Sequence, residues 1–276
     1  MLKEDISSSK VRYTFDNILE FADYANSVPD RNSSKSDGDN KFAGGSFQDA
    51  MDQAASGNPE LVKKIFEGVN VIRAMIEDDE IGEIRDVTGE YFDVADFLSG
   101  EPEVFRREEY GDSRPVVPVY ASFSMKCGIS TSSIENRGCA IVALCDELAH
   151  SGFIVDLHCV QVVEYGKKYY TKIKLCTDPL DIDTMAFIVA NPLCLRRLWF
   201  AALENYTGRS SCGGYGFPCE YDLDDIFTSG VSGFYFTSSN HSAFSESNYS
   251  SLEKAKKHII GMVERFKANP CQVILG

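Results

Sequence analysis

The sequence has no long apolar run. None of its stretches approaches the ~20 consecutive apolar residues that a helix needs to cross a bilayer, which argues against a membrane-spanning helix. It is also short of positive charge: 27 Lys and Arg face 42 Asp and Glu, for a formal net charge of -15. The shortfall is uneven. Residues 1–110 hold 25 acids and 12 bases, whereas residues 111–276 hold 17 and 15. A general grip on nucleic acid by the first part is therefore not expected, because phosphate binding is driven by Lys and Arg. An acidic surface there suits solubility or docking onto a basic partner. No cysteine precedes Cys127, and no pair among the nine has the C-x-x-C spacing of a zinc ribbon or redox motif. Most lie inside apolar runs and read as reduced core residues of a reducing compartment. Cys212 and Cys219, which flank a Gly-rich loop, are the exceptions to test for a metal or nucleophile role. The four His show no metal spacing, and no G-x-S-x-G elbow or nucleotide-loop glycine pattern is present. Residues 1–5, MLKED, carry acids where a signal peptide has a positive and then an apolar region, so a cytosolic location is expected.

What is present is an ordinary globular mix, 43% hydrophobic and 25% charged, sufficient for a sizeable core in one large or two small domains. Apolar spacing predicts a helix over 15–28, a polar loop over 29–41, a short helix capped by Ser46, and another opened by Asn58 and Pro59. Residues 84–95 alternate as a hairpin. These segments predict an acidic, mainly helical N-terminal module over 1–110. From 111 to 276 the rhythm changes. A buried strand at 116–123 leads to a helix that Ser132 and Glu135 would open as a capping box and Gly152 would stop. A strand at 154–160 and a turn at 165–168 precede a second strand at 169–176. Asp181 or Asp183 would cap a long helix broken by Pro192. A strand at 231–236, a helix at 250–268 and a last strand at 273–275 complete the chain. This order predicts an α/β domain over 111–276: a mostly parallel sheet with helices on both faces, and the hairpin strand antiparallel at an edge.

That order resembles a von Willebrand factor A-type domain. In that family the first strand ends in a D-x-S-x-S loop that holds Mg²⁺ through carboxylate and hydroxyl oxygens. Here the matching place reads Ala121-Ser122-Phe123-Ser124-Met125-Lys126, with the serines but without the aspartate, and Lys126 would repel a cation. No metal and no cofactor is expected. A second resemblance, to a family of uncharacterised phage and prophage proteins, rests on residues 136–148, 179–181, 186–187 and 191–198, with Gly44-Gly45-Ser46-Phe47 and Gly213-Gly214-Tyr215-Gly216. It implies a phage origin, action in the cytoplasm of an infected bacterial host, and no assigned activity.

The resemblances imply a non-enzymatic interaction protein or adaptor, with an AAA+ ATPase of the MoxR class as the partner implied. The contact surface expected for it comprises Ser122, Ser124, Lys126, Arg137, Asp178 and Asp181. Arg137 would bind a partner acid or pair with a local one, and the aspartates would serve equally as helix caps. The alternative is a single-stranded nucleic-acid-binding factor. Lys167, Lys168, Lys172, Lys174, Arg196 and Arg197 would line the strand path, and Tyr165, Tyr169 and Tyr170 would stack on bases. Arg196 and Arg197 also fit a helix that alternates polar and core faces. A hydrolase or transferase built on the Gly213–Gly216 loop has the least support.

Overall fold

The structure is a computed structural model describing residues 1–36, 38, 40–73, 83–86, 91–92, 105–108, 115–126, 128–175, 181–212, 215–222, 232–268 and 272–276. The strands are β1 (Leu2–Ser7), β2 (Lys10–Phe15), β3 (Glu83–Asp86), β4 (Tyr91–Phe92), β5 (Phe105–Glu108), β6 (Val116–Ser122), β7 (Ile154–Tyr165), β8 (Lys167–Lys174), β9 (Phe217–Cys219), β10 (Gly233–Phe236) and β11 (Val273–Leu275). The helices of more than one turn are α1 (Ile18–Asn26), α2 (Phe47–Ser56), α3 (Pro59–Arg73), α4 (Thr131–His150), α5 (Ile182–Ala190), α6 (Phe200–Thr207) and α7 (Leu252–Ala268), with a single α-helical turn at Asn40–Ala43. A π-helical turn, Cys194–Trp199, leads into α6.

Eight strands form one sheet in the order β1-β2-β8-β7-β6-β10-β11, with β9 added to β7. The sheet is mixed. Its parallel pairs are β2–β8, β7–β6, β6–β10 and β10–β11; β1–β2, β7–β8 and β7–β9 are antiparallel. The fold is α/β as expected but its sheet is mixed: two tight turns, at residues 8–9 and at Gly166 (φ 72°), are too short for a crossover and make β1–β2 and β7–β8 antiparallel. The strand after Gly166 is antiparallel as expected, but it is not an edge, because β2 lies against it in register from Lys10–Lys168 to Phe15–Ile173. The N-terminal segment therefore begins as sheet, and β2 ends at Phe15, where a helix was expected to start. A separate three-stranded sheet pairs β3, β5 and β4.

The described helices share one core on one side of the sheet. Their core joins Val11, Tyr13 and Phe15 of β2, Val117, Val119 and Ala121 of β6, and Phe234 and Phe236 of β10. The opposite face carries a small cluster of Tyr120, Val160, Val162, Tyr170, Tyr221 and Tyr235, to which no described helix contributes. Helices on both faces are thus not seen among the described residues. The pleat explains the asymmetry: alternate side chains of each strand point to opposite faces, and here one set is aliphatic and aromatic while the other is rich in tyrosine and includes the polar His158 and Lys172.

Local chemistry starts the helices. Ser46 and Asp49 close a reciprocal capping box on α2, Asn58 accepts from Leu61 N at 3.1 Å before Pro59, and Asp181 rather than Asp183 caps α5. For α4 the cap is Ser130, which accepts from Ser133 N. Glu135 does not reach back to Ser132 but meets Lys64 of α3 at 2.6 Å. Gly152 (φ 81°) turns the chain out of α4. Helix α5 stops at Ala190, before Asn191 and Pro192. Helices α4 and α5 touch where Gly138 faces Ala190: a Cβ on Gly138 would lie 2.2 Å from the Ala190 Cα.

Candidate functional site at the carboxyl end of β6

Past Ser122 the chain leaves β6 yet stays bonded to β7. Phe123 N donates to Val160 O at 2.7 Å. The Ser124 hydroxyl accepts from Val162 N at 2.7 Å and donates to Val162 O at 2.9 Å, filling one rung of the ladder. Ser122 Oγ accepts from Ser124 N at 3.3 Å. Both serines are buried. Their hydroxyls hold the strand end in place and do not present themselves to a partner, contrary to the sequence expectation.

The loop after β10 locks onto the same turn. Ser239 N donates to Ser124 O at 3.0 Å, and Lys126 N donates to Ser239 Oγ at 2.7 Å. Beside it, Glu220 accepts from Tyr235 Oη at 2.7 Å, from Ser238 N at 3.0 Å and from the Ser238 hydroxyl. Burial, reinforced by the Glu220 charge, keeps the Tyr235 phenol protonated with a raised pKa. Of the expected contact residues at this strand end, Lys126 has its side chain in solvent.

Lys126 stands at a small cleft of about 30 Å³. Met125, Val163, Trp199, Phe200, Leu203 and Tyr215 supply most of its apolar wall; Phe42, Gln161 and Arg196 also line it. Phe200 and Tyr215 stack with ring centroids 3.8 Å apart. Sequence reading placed Trp199 and Phe200 on a helix but did not find the cleft. Its wall is assembled from segments more than a hundred residues apart, and no local spacing signals that. An apolar cleft with a few polar groups at the carboxyl ends of α/β strands is where such folds place ligands and partners.

The remaining expected residues lie elsewhere. Arg137 is buried in α4 and is not a surface contact. Asp181 is exposed and spends its carboxylate on Thr184, at 3.1 Å to N and 2.5 Å to Oγ1. Asp178 falls outside the described residues, as do Gly213, Gly214, Cys127, Cys176 and Cys271.

The expected nucleic-acid path is not assembled. Arg196 donates to Phe42 O (2.6 Å), Thr131 Oγ1 (3.1 Å) and Ile129 O (2.8 Å). Arg197 donates to Gly45 O (3.1 Å), Ser34 O (2.8 Å), Ser36 O (2.9 Å) and Asn40 Oδ1 (2.5 Å). Both guanidiniums are buried clamps that tie the 34–45 segment to the π-helical turn. Glu204 completes this tie by accepting from Ser34 N, Ser34 Oγ and Tyr215 Oη. Tyr169 and Tyr170 are buried on opposite faces of β8; Tyr169 stacks on Tyr206 and Tyr170 meets Tyr221 edge-on. Tyr165 lies under Arg209. Lys172 sits over the Tyr120 ring on the helix-free face, and burial lowers its pKa. Lys167, Lys168 and Lys174 remain at least partly accessible.

Thiol chemistry is not poised at the described cysteines. Burial pushes the Cys139 thiol up to about 12 and raises Cys145, Cys159, Cys194, Cys212 and Cys219 as well. Reactive thiols need the opposite shift. Among the described residues no three His, Cys, Asp or Glu side chains converge as metal ligands.

Residues 3–266 match the family model described as a domain of unknown function (DUF7192). No curated protein and no solved structure matches the chain.

Proposed function

For a chain that belongs to this family, we propose a non-enzymatic role as a protein-interaction or adaptor module that engages its partner at the carboxyl edge of β6. The observation that carries the proposal is the small cleft, walled largely by apolar side chains, beside the solvent-facing Lys126. Its wall suits an aromatic or aliphatic anchor from a partner, and the lysine suits an acid next to that anchor. Buried anchors in pockets dominate protein interfaces, with charges at the rim adding orientation.

The von Willebrand factor A-like reading is part of the proposal. It is supported by the strand order β8-β7-β6-β10-β11, in which β6, β7, β10 and β11 run parallel and β8 is reversed. The β1–β2 hairpin against β8 and the placement of the described helices on one side of the sheet depart from that pattern. The division at about residue 110, the phage origin, action in the cytoplasm of an infected host, and an AAA+ ATPase of the MoxR class as partner rest on the sequence resemblances and are proposed with it. The nucleic-acid alternative loses Arg196, Arg197, Tyr169 and Tyr170 to the interior.

Affinity capture from infected host cells, followed by assay of the purified chain, tests the proposal. The expected result is one stoichiometric protein partner with ATPase activity in the captured fraction and none in the chain alone. Turnover of a substrate by the isolated chain, or a shift of single-stranded nucleic acid that weakens steeply with salt without any protein partner, would overturn it.

A further inference from the structure

One edge of the main sheet faces solvent. Strand β1 is outermost on the β2 side, and all six of its residues are exposed. A bare strand edge carries a row of N–H and C=O groups ready to pair with another chain. Three large apolar side chains stand in solvent along it: Met1 (49% exposed), Leu2 (57%) and Ile6 (45%). Between Leu2 and Ile6 come Lys3, Glu4 and Asp5. The register with β2 is regular from Leu2–Thr14 to Asp5–Val11 and shifts at a bulge before Ser7.

Backbone geometry limits what a second copy can do at this edge. A two-fold axis normal to the sheet sets two copies of β1 antiparallel and gives a closed pair. Along a strand the N–H and C=O groups of successive residues alternate between its two edges, and in an antiparallel ladder directly opposed residues exchange both bonds or neither. The axis must therefore pass through a residue opposed to itself. Centred on Lys3, the ladder sets lysine on lysine; centred on Asp5, it sets aspartate on aspartate. Centred on Glu4, it sets Lys3 against Asp5 of the other copy twice over, and Leu2 beside Ile6 of the other copy at both ends. The two Glu4 carboxylates then face each other, but each lies 3.6 Å from Arg12 of its own chain. Of the three registers, this one joins opposite charges and uses the strand from Leu2 to Ile6. Charges on an edge strand commonly guard it against pairing; their order in β1 makes the edge complementary to itself.

We propose that the β1 edge is a self-association surface, where a second copy of this chain pairs antiparallel about Glu4 and joins the two sheets into one. So short a ladder buries less than the ~1,200 Å² at which stable interfaces begin, so the dimer is weak and forms as concentration rises. The surface is independent of the cleft beside Lys126 and of the function proposed for it.

The test is sedimentation equilibrium of the full chain from micromolar to millimolar protein. The average mass should climb from one chain toward two. Lys3→Asp makes both attractive pairs repulsive and should weaken association at least about fivefold, since like charges opposed across strands destabilise the pair. Asp5→Lys should do the same, and the double variant Lys3→Asp/Asp5→Lys, which exchanges the charges, should restore the parent affinity. Glu4→Cys sets two thiols directly opposite, with Cα atoms about 4.5–5.5 Å apart, within disulfide reach. Mild oxidation should link two Glu4→Cys chains but not two Ser7→Cys chains, whose thiols would lie roughly 20 Å apart in this register. All these positions are exposed, so the substitutions leave the core untouched. A single-chain mass up to millimolar protein would overturn the proposal. So would association that Lys3→Asp leaves unchanged, which would put the contact on another surface. If the chain stays single while Lys3→Asp loses a captured partner, the edge serves a different protein and the proposal fails.

Discussion

Replacing Gly138 by alanine inserts one methyl group at the crossing of α4 and α5. Alanine is the better helix former, and in an exposed helix the exchange stabilises by about 1 kcal/mol. At Gly138 the new Cβ would lie 2.2 Å from the Ala190 Cα and 2.3 Å from Val189 O. Carbon atoms in contact prefer about 3.5–4.0 Å, so the helices must part by roughly 1.5 Å. The obstacle is backbone, which no rotamer change can move aside. Overpacking a core costs about 1–3 kcal/mol and sometimes more, and this geometry places the cost at the upper end. After the propensity gain the net loss should be at least about 2 kcal/mol, or a fall in melting temperature of roughly 4–8 °C. Gly261 in α7 is the control, since nothing lies within 4 Å of a Cβ built there, and Gly261→Ala should stabilise by up to about 1 kcal/mol. Urea and thermal denaturation of the two variants read both signs. A Gly138→Ala protein as stable as the parent would refute the close helix contact and, with it, the placement of α5 on α4.

Three further outcomes follow from the same geometry. Arg197→Lys cannot reach all four acceptors of the 34–45 segment; it should destabilise by at least about 2 kcal/mol, since hydrogen bonds to charged groups are worth roughly 1.5–3 kcal/mol each, and limited proteolysis should cut that segment first. His158, bonded to Asp156 at 2.9 Å and faced by Lys172 and Lys174, has a pKa lowered mainly by burial. The unfolded chain then binds the extra proton first as pH falls, so stability should decline from about pH 6.5 downward, with a slope contribution of at most about 1.4 kcal/mol per pH unit from this group; His158→Gln should flatten that limb, and an unchanged slope would contradict the assignment. Asp156, whose pKa is lowered chiefly by its bond to His158, adds stability that is lost only at lower pH, as it protonates, so the two limbs should separate in a pH series of melting temperatures.

Elements with strong local signals were legible in the sequence. Ser46, Asn58 and Asp181 start the helices they were expected to start, and Gly152 and Pro192 interrupt where expected, because caps and breakers act within one turn of chain. The β1–β2 hairpin was missed: β1 is exposed along its whole length and carries no alternation to read. The cap of α4 was displaced by two residues because the Glu135 side chain found a long-range partner in Lys64. At the site, Lys126 was legible as a solvent-facing cation at the end of the first buried strand. Ser122, Ser124, Arg137, Arg196 and Arg197 were not, since a sequence cannot show that a hydroxyl or guanidinium is buried. The cleft shares that limit.

The account turns on the cleft beside Lys126 as the place where a partner binds. The most direct measurement is the affinity of the captured partner for the parent chain, for Lys126→Glu and for Lys167→Glu, which makes the same charge change at the exposed hairpin turn. Binding should fall at least tenfold in Lys126→Glu and stay unchanged in Lys167→Glu. Equal affinity for all three proteins would place the interface elsewhere and contradict the account.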